Sequence, residues 1–143
     1  GYRFIQGRFP VQGRLIGGCL EVLEMIKGTP VWPDKKVWKD CILFIDLSEE
    51  APSPTYLTRC LRNYAAAGIL KNLRGLIMGR PHNVPEKDFD LYDKALIRAV
   101  RMEAGSDMPM VTCMDFGHTD PICCLPYGAL MQIDSVQKTV SLV

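Results

Sequence analysis

Three apolar runs of strand length, each separated from the next by a helix-length segment, constrain the fold of this chain more than any other feature. They are Cys41–Asp46, Gly75–Gly79 and Met110–Met114. Continuous apolar runs are typical of strands that are buried on both faces of a sheet. Strands that alternate with helices are joined by right-handed parallel crossovers. We therefore predict an α/β fold with mostly parallel central strands and flanking helices.

Capping residues mark where the predicted helices begin and end. Ser53-Pro54 is typical of an N-cap followed by proline in the first helical position, and Gly68 is a suitable C-terminal stop. A second helix is predicted from about 86 to 104, where apolar residues recur at helical spacing, and a short amphipathic one covers 19–26. The last segment, 129–143, predicts a C-terminal β-hairpin.

A glycine-rich segment precedes the short helix. Residues 2–5 are strand-like, and a glycine-rich entry with Gly7 and Gly13 follows them. Gly17-Gly18 predicts a tight strand-to-helix turn, because glycine adopts backbone conformations that other residues avoid. The N-terminus of the following helix could also receive an anionic group of a ligand. Gly17 and Gly18 are therefore candidate substrate-binding residues as well as candidate turn residues.

Charge, hydropathy and cysteine usage exclude several classes of protein. The net charge is +1 with interspersed signs, which argues against nucleic acid as a partner. No apolar run approaches the roughly 18 residues that span a bilayer, and no signal peptide is apparent. The six cysteines lie mostly in apolar runs without C-x-x-C spacing, so we expect no disulfide framework, zinc site or cofactor, and a reducing, cytoplasmic compartment. Redox or metal chemistry at Cys123-Cys124 stays open as a minor alternative.

Ionisable residues follow two of the three strands. Asp46 ends the first strand, and His118 lies in the turn 115–121 after the third. Function gathers at the carboxyl ends of parallel strands, and neighbouring strands bring these ends together. Asp46 could therefore orient the imidazole of His118 as the acid of a catalytic triad orients its base. The alternative is a turn aspartate beside a surface histidine.

A nucleophile for this base is not evident. No serine lies in a G-x-S-x-G elbow, and Ser53 is better explained as an N-cap. A cysteine nucleophile at Cys123 or Cys124 is the remaining candidate within the chain. A base without a nucleophile indicates half of an active site.

Two further residue types suit a substrate. Trp32 and Trp38 flank a proline-bearing loop and could stack on a ring of a ligand, although such tryptophans more often anchor packing. Arg80 follows Gly79 at a strand end and could hold a carboxylate in a bidentate grip or form a structural ion pair. Trp32 and Arg80 join the candidate substrate-binding residues.

Five short motifs in fixed order carry a family resemblance. They are 13–19 (GRLIGGC), 28–30 (GTP), 44–50 (FIDLSEE), 79–81 (GRP) and 115–119 (DFGHT). Together they resemble the C-terminal domain of the LD-carboxypeptidase family, and most of all its branch of microcin C immunity proteins. The resemblance spans nearly the whole chain.

The resemblance implies a two-domain serine peptidase of the cytoplasm, which is a homodimer when intact. In that family a Ser-Glu-His triad is divided between domains: the serine belongs to an N-terminal nucleophile domain, and the acid and histidine to a C-terminal domain of swivelling β/β/α type. Residues 1–143 then form the C-terminal domain, beginning at Gly1 as an excised piece. His118 is the general base by this resemblance.

One departure from the family pattern concerns the acid. The family has glutamate where this chain has Asp46, and threonine where it has Leu47. Aspartate is shorter by about 1.5 Å, one C–C bond. Displacement of this size can lower activity about a hundredfold. Glu49 and Glu50 are alternative acids on the following loop.

Two functions follow as expectations. The first is hydrolysis by a serine carboxypeptidase or amidase, acting on a peptidyl-nucleotide antibiotic of the microcin C type or on murein peptides. The second is a non-catalytic ligand-binding or assembly domain that is inactive alone.

Overall fold

The computed structural model describes residues 1–143 and contains a single seven-stranded sheet. The strands are β1 (Arg3–Gln6), β2 (Val11–Cys19), β3 (Cys41–Asp46), β4 (Gly75–Gly79), β5 (Met110–Met114), β6 (Leu130–Asp134) and β7 (Thr139–Leu142). The helices are α1 (Leu20–Ile26), α2 (Pro54–Ala66) and α3 (Phe89–Leu96), and α3 continues as a π-helical segment, Ile97–Glu103. Short 3-10 turns cover Lys35–Trp38, Leu70–Asn72 and Glu86–Asp88.

The strand order is β1-β5-β4-β3-β2-β6-β7. The four central strands, β2 to β5, pair in parallel. Antiparallel strands complete both sides: β1 pairs with β5, β6 pairs with β2, and β7 pairs with β6 as the C-terminal hairpin. The predicted α/β fold with parallel central strands, flanking helices and a C-terminal hairpin is confirmed.

The apolar runs form strands because both of their faces are buried. On one face the side chains of Leu43 and Ile45 join the larger core cluster, to which the helices also contribute. On the other face Ile42 joins a smaller cluster that includes Phe116 of the loop after β5. Phe116 is 4% exposed and packs edge to face on Phe44. This contact anchors the loop that carries His118 beneath the end of the sheet.

The predicted capping of α2 is confirmed. Ser53 Oγ accepts a hydrogen bond from the backbone N–H of Tyr56 at 3.2 Å, and Pro54 occupies the first turn. The helix predicted from about 86 to 104 is one continuous helical stretch with three local geometries. No helix of the chain is both long and apolar enough to cross a bilayer.

The structure corrects the sequence interpretation of residues 7–18. Gly17 and Gly18 lie inside the nine-residue strand β2, and the strand passes directly into α1 without the predicted turn. Gly17 pairs with Phe44 of β3, and a Cβ at Gly17 would overlap the carbonyl oxygen of Phe44. Glycine therefore permits close pairing of β2 and β3 at this point, rather than a turn.

Candidate active site

Asp46 and His118 form a hydrogen-bonded pair at the carboxyl edge of the parallel strands. Asp46 Oδ2 lies 2.6 Å from His118 Nδ1. Asp46 is only 6% exposed, whereas the side chain of His118 is 39% exposed. A buried acid thus holds one nitrogen of a ring that is open to solvent. Such a pair can fix the imidazole tautomer and stabilise the imidazolium form.

The sequence predicts that Asp46 and His118 meet because their strands are neighbours. They do meet, but their strands, β3 and β5, are not direct neighbours. Strand β4 lies between β3 and β5, so the loop after β5 must cross the end of β4. β4 ends in Gly79, where a Cβ would collide with the carbonyl oxygen of Phe116. Gly117 has a φ of +83°, and a Cβ there would overlap the carboxylate of Asp46. Two glycines therefore make room for the crossing.

Arg80 fastens the crossing loop. Its Nε donates to Thr119 Oγ1 at 2.9 Å and its Nη2 donates to the carbonyl oxygen of Asp120 at 3.0 Å. Nη2 also lies 3.0 Å from Asp115 Oδ1. The guanidinium of Arg80 thus contacts residues that precede and follow His118 in the sequence. The geometry favours the structural ion pair over the substrate grip that the sequence left open.

The second ring nitrogen of His118 faces another carboxylate. Glu49 Oε2 lies 3.3 Å from Nε2, and the Glu49 side chain is 69% exposed. The sequence interpretation treated Glu49 as a possible substitute for Asp46. The structure instead places the imidazole between the two acids. The buried Asp46 contacts Nδ1, and the exposed Glu49 contacts Nε2.

Glu21 supports the chain just beyond Asp46. Its Oε1 accepts hydrogen bonds from Ser48 N at 3.0 Å and from Ser48 Oγ at 2.6 Å. Glu21 lies in the first turn of α1, so this contact ties the helix to the segment after β3. Sequence analysis missed Glu21. Its only signal was an acidic residue in the first turn of a helix that follows a strand, which is common.

Cys19 is the third residue at this edge, and sequence analysis missed it too. It ends β2 and pairs with Asp46 in the β2–β3 register. Its thiol donates to Glu21 Oε2 at 3.6 Å. Burial raises the pKa of the Cys19 thiol, and the nearby carboxylates of Glu21 and Asp46 act in the same direction. The thiol, rather than the thiolate, is therefore the form that this environment favours.

The other sequence candidates are distributed around the fold. Gly18 pairs with Ile45 one step before the Cys19 pair, and no atom lies within 4 Å of the position its Cβ would take. Gly17 is covered by the β3 backbone. Cys123 and Cys124 are exposed free thiols.

Trp32 packs against Trp38 and Tyr64, with ring centroids 5.3 and 5.9 Å away. Trp38 is almost fully buried and precedes β3 in the chain. Asp46, in contrast, is the last residue of β3. The length of a six-residue strand, about 17 Å at 3.3 Å per residue, separates the two ends. The position of Trp32 favours packing over stacking on a ligand at the His118 edge.

Comparison with known proteins gives a consistent set of relatives. The chain is 28% identical over 141 residues to a putative carboxypeptidase of Treponema pallidum, with 99% of the chain and 40% of that protein covered. It is 30% identical over 131 residues to a probable murein peptide carboxypeptidase of Bacillus subtilis, covering 90% and 39%. It is 27% identical over 142 residues to the microcin C7 self-immunity protein MccF of Escherichia coli, covering 95% and 38%. The chain thus spans about 40% of the length of these relatives.

Solved structures share the fold over the whole chain. An MccF-like protein from Streptococcus pneumoniae in complex with AMP superimposes with a TM-score of 0.83 at 26% identity, covering 100% of this chain and 44% of that one. MccF in complex with aspartyl sulfamoyl adenosine gives a TM-score of 0.76 at 25% identity, covering 99% and 40%. Residues 12–133 match the family described as the LD-carboxypeptidase C-terminal domain. With most of its length matched, this chain belongs to the LD-carboxypeptidase C-terminal domain family.

Proposed function

We propose that residues 1–143 are the C-terminal domain of a serine-type carboxypeptidase or amidase and that they supply the acid and the base of its triad. The observation that carries this proposal is the 2.6 Å hydrogen bond from His118 Nδ1 to the buried carboxylate of Asp46. The family membership and the carboxypeptidase names of its relatives support a hydrolase. The serine would come from an N-terminal nucleophile domain of the same protein.

In this mechanism each nitrogen of His118 has its own task. Asp46 accepts the Nδ1–H and so keeps Nε2 free as the base. Nε2 removes the proton from the serine Oγ as that oxygen attacks the scissile carbonyl, and later returns it to the leaving amine. The shorter aspartate is sufficient for the first task, because its carboxylate already lies within hydrogen-bond distance of the ring.

Glu49 has to leave Nε2 before the serine can use it. Its side chain is 69% exposed, and its contact with Nε2 is 3.3 Å long. An exposed contact of this kind contributes little free energy, so a docking serine could displace Glu49 easily. We therefore assign Glu49 to the resting arrangement of the site and not to the triad.

Two substrate classes follow from the relatives. One relative is a microcin C7 self-immunity protein, and solved relatives hold AMP or aspartyl sulfamoyl adenosine, which favours a peptidyl-nucleotide substrate. Another is a probable murein peptide carboxypeptidase, which favours a cell-wall peptide. We propose the peptidyl-nucleotide class first, since the ligands that solved relatives contain all carry a nucleoside, adenosine in two structures and guanosine in a third. The cytoplasmic location and the homodimer stay predictions.

The test compares the two histidines of the chain in the two-domain protein. His118→Ala should lower kcat for hydrolysis of an aminoacyl sulfamoyl adenosine by on the order of 10⁴-fold or more, as loss of a triad base does. His82→Ala is the matched control and should retain activity, because the hydrogen bond to Asp46 and the contact with Glu49 belong to His118 and not to His82. Near-wild-type hydrolysis by the His118 variant would remove the base from our mechanism.

A non-catalytic binding domain is the second candidate. The contact of Glu49 with Nε2 favours it, because Nε2 cannot act as a base while Glu49 occupies it. Comparison of the wild type with Asp46→Glu separates the two functions. An enzyme should hydrolyse substrate in both forms, whereas a binding domain should bind the nucleotide in both forms and hydrolyse it in neither.

A further inference from the structure

Three residues with metal-binding side chains meet at the carboxyl edge of the sheet. One ligand atom each from Cys19, Asp46 and His118 lies within 4.8 Å of the other two. The three come from separate parts of the chain: the end of β2, the end of β3 and the loop after β5. No spacing motif in the sequence could have indicated this cluster.

The chemistry of the three donors selects a class of cation. A thiolate, an imidazole nitrogen and a carboxylate oxygen are the ligands of zinc-class ions, and three protein ligands with a water in the fourth position are a common zinc arrangement. Calcium and magnesium prefer oxygen ligands throughout. Metal–ligand bonds of about 2.0–2.3 Å place tetrahedral ligands about 3.3–3.8 Å apart. Atoms already within 4.8 Å of one another need only small side-chain rotations to reach that spacing.

The surroundings of the cluster carry negative charge. Glu21 Oε2 accepts from the Cys19 thiol at 3.6 Å, and Glu49 Oε2 lies 3.3 Å from His118 Nε2. Both carboxylates contact a proposed ligand from outside the cluster. Of the two, Glu49 can accept the N–H that the metal-bound imidazole keeps, and an outer carboxylate in this position orients a histidine ligand and increases its basicity. A divalent cation would neutralise charge that Asp46, Glu21 and Glu49 now concentrate at one edge.

We propose that Cys19, Asp46 and His118 form a binding site for one zinc-class divalent cation, with water as the fourth ligand. On binding, the Cys19 thiol loses its proton to solvent as the metal–sulfur bond forms. The imidazole coordinates through a ring nitrogen that carries no proton and keeps its other N–H. The Asp46–His118 hydrogen bond is replaced by two bonds to the metal.

Occupancy of this site would inhibit hydrolysis, because the metal takes both the acid and the base away from the serine. This consequence rests on the proposed function, whereas the binding itself does not. Binding is measured on the 143-residue chain, and hydrolysis on the two-domain protein in the presence of a chelator. If binding fails while the chelated enzyme is active, only the metal site is wrong; if binding succeeds while hydrolysis fails, only the proposed function is wrong.

Cobalt(II) is a suitable probe, since its absorption reports both a tetrahedral site and a thiolate ligand. We expect one Co²⁺ per chain, a sulfur-to-cobalt charge-transfer band, and displacement of the cobalt by Zn²⁺. Cys19→Ser should abolish the charge-transfer band, and His118→Ala should weaken affinity at least about tenfold. His118 is on the surface, so its variant keeps the test valid even where a substitution in β2 disturbs folding.

The control is the double variant Cys123→Ser/Cys124→Ser, which removes the two exposed thiols. It should bind cobalt as the wild type does. Absence of a tetrahedral cobalt spectrum in the wild type would overturn the proposal. So would a charge-transfer band that survives in Cys19→Ser, or one that disappears in the Cys123/Cys124 variant, because the thiolate would then lie elsewhere.

Discussion

Two glycines determine how closely His118 can approach Asp46. Gly79 ends β4 and lets the backbone at Phe116 pass over it, while Gly117 turns the chain at a φ of +83° against the Asp46 carboxylate. Any side chain at either position would push the loop away from β3. The close loop brings the His118 ring within reach of the short acid, with Asp46 Oδ2 2.6 Å from Nδ1.

Gly117→Ala should separate Asp46 from His118. The new Cβ overlaps the Asp46 carboxylate, so the loop has to shift and the Asp46–His118 hydrogen bond should be lost. Gly128→Ala is a matched control, because Gly128 has a φ of +80° and open space around it. Both variants should lose about 1–2 kcal/mol of stability from the positive φ. NMR of the His118 imidazole should show loss of the hydrogen-bonded Nδ1–H in the Gly117 variant alone.

The same signal in both glycine variants would contradict this account, because backbone strain and not the collision would then control the pair. A normal Nδ1–H signal in Gly117→Ala would show that the loop accommodates the methyl group elsewhere. Thermal unfolding should show a larger loss of stability in Gly117→Ala than in Gly128→Ala, because only the first variant adds the collision with Asp46 to the strain of the positive φ.

Asp46 and His118 could be predicted as site residues from the sequence, because Asp46 ends β3 and His118 follows β5, and the apolar composition of both strands identifies them. The remaining residues of the site depend on information that the sequence does not display. Cys19 reaches Asp46 only through the β2–β3 register, and Glu49 meets Nε2 through a side-chain conformation on an exposed loop. Glu21 meets Ser48 across the space between α1 and the end of β3.

At the scale of elements, β2 shows why the composition of a segment can fail to indicate a strand. Buried and exposed residues alternate from Val11 to Leu15, as expected for a strand. The glycines of this segment obscured that pattern, because glycine is usually depleted in strands. Gly17 is nevertheless required inside β2, where the Phe44 carbonyl leaves no room for a Cβ. The apolar strands without glycine, β3 and β5, were placed correctly, and so was β4, whose glycines lie only at its ends.

The link between α2 and the π-helical segment gives a prediction for pH. Arg62 of α2 holds Glu103 through two hydrogen bonds of 2.6 and 2.7 Å. These bonds first, and a 3.0 Å hydrogen bond from Arg98 second, lower the pKa of Glu103 from 4.5 to about 2. The contact therefore stabilises the fold fully above about pH 4.5. Its contribution decreases as the pH falls from 4.5 and disappears below about pH 2.

Glu103→Gln should remove this part of the acid sensitivity. The melting temperature of the variant should fall less steeply between pH 4.5 and 2 than that of the wild type. Arg62→Gln should flatten the curve in the same way, since Arg62 is the main cause of the shifted pKa. Glu86→Gln, at an exposed position of the Glu86–Asp88 turn, should leave the curve unchanged. Parallel curves for the wild type and Glu103→Gln would refute the link.

At the scale of the whole molecule, the candidate site and an aromatic cluster lie at opposite ends of the central strands. The carboxyl edge carries the charged residues of the candidate site. Beyond the amino end of β3, the aromatic cluster of Trp32, Trp38 and Tyr64 closes the larger core, and Lys27 Nζ lies 4.5 Å from the Tyr64 ring centroid. The sequence contains motifs of both regions, but only the topology shows which of these residues lie close enough to form one site.

Trp32→Ala should therefore change stability without changing the site. We expect a loss of about 1–3 kcal/mol in the free energy of unfolding, less than the 3–5 kcal/mol of a fully buried aromatic residue, because Trp32 is only partly buried. Urea unfolding measures this loss. The imidazole NMR signals of His118, and kcat and KM of the two-domain protein, should stay at wild-type values, since the length of β3 lies between Trp32 and Asp46. A raised KM with unchanged stability would instead make Trp32 a substrate contact, and would require the substrate to extend from one edge of the sheet to the other.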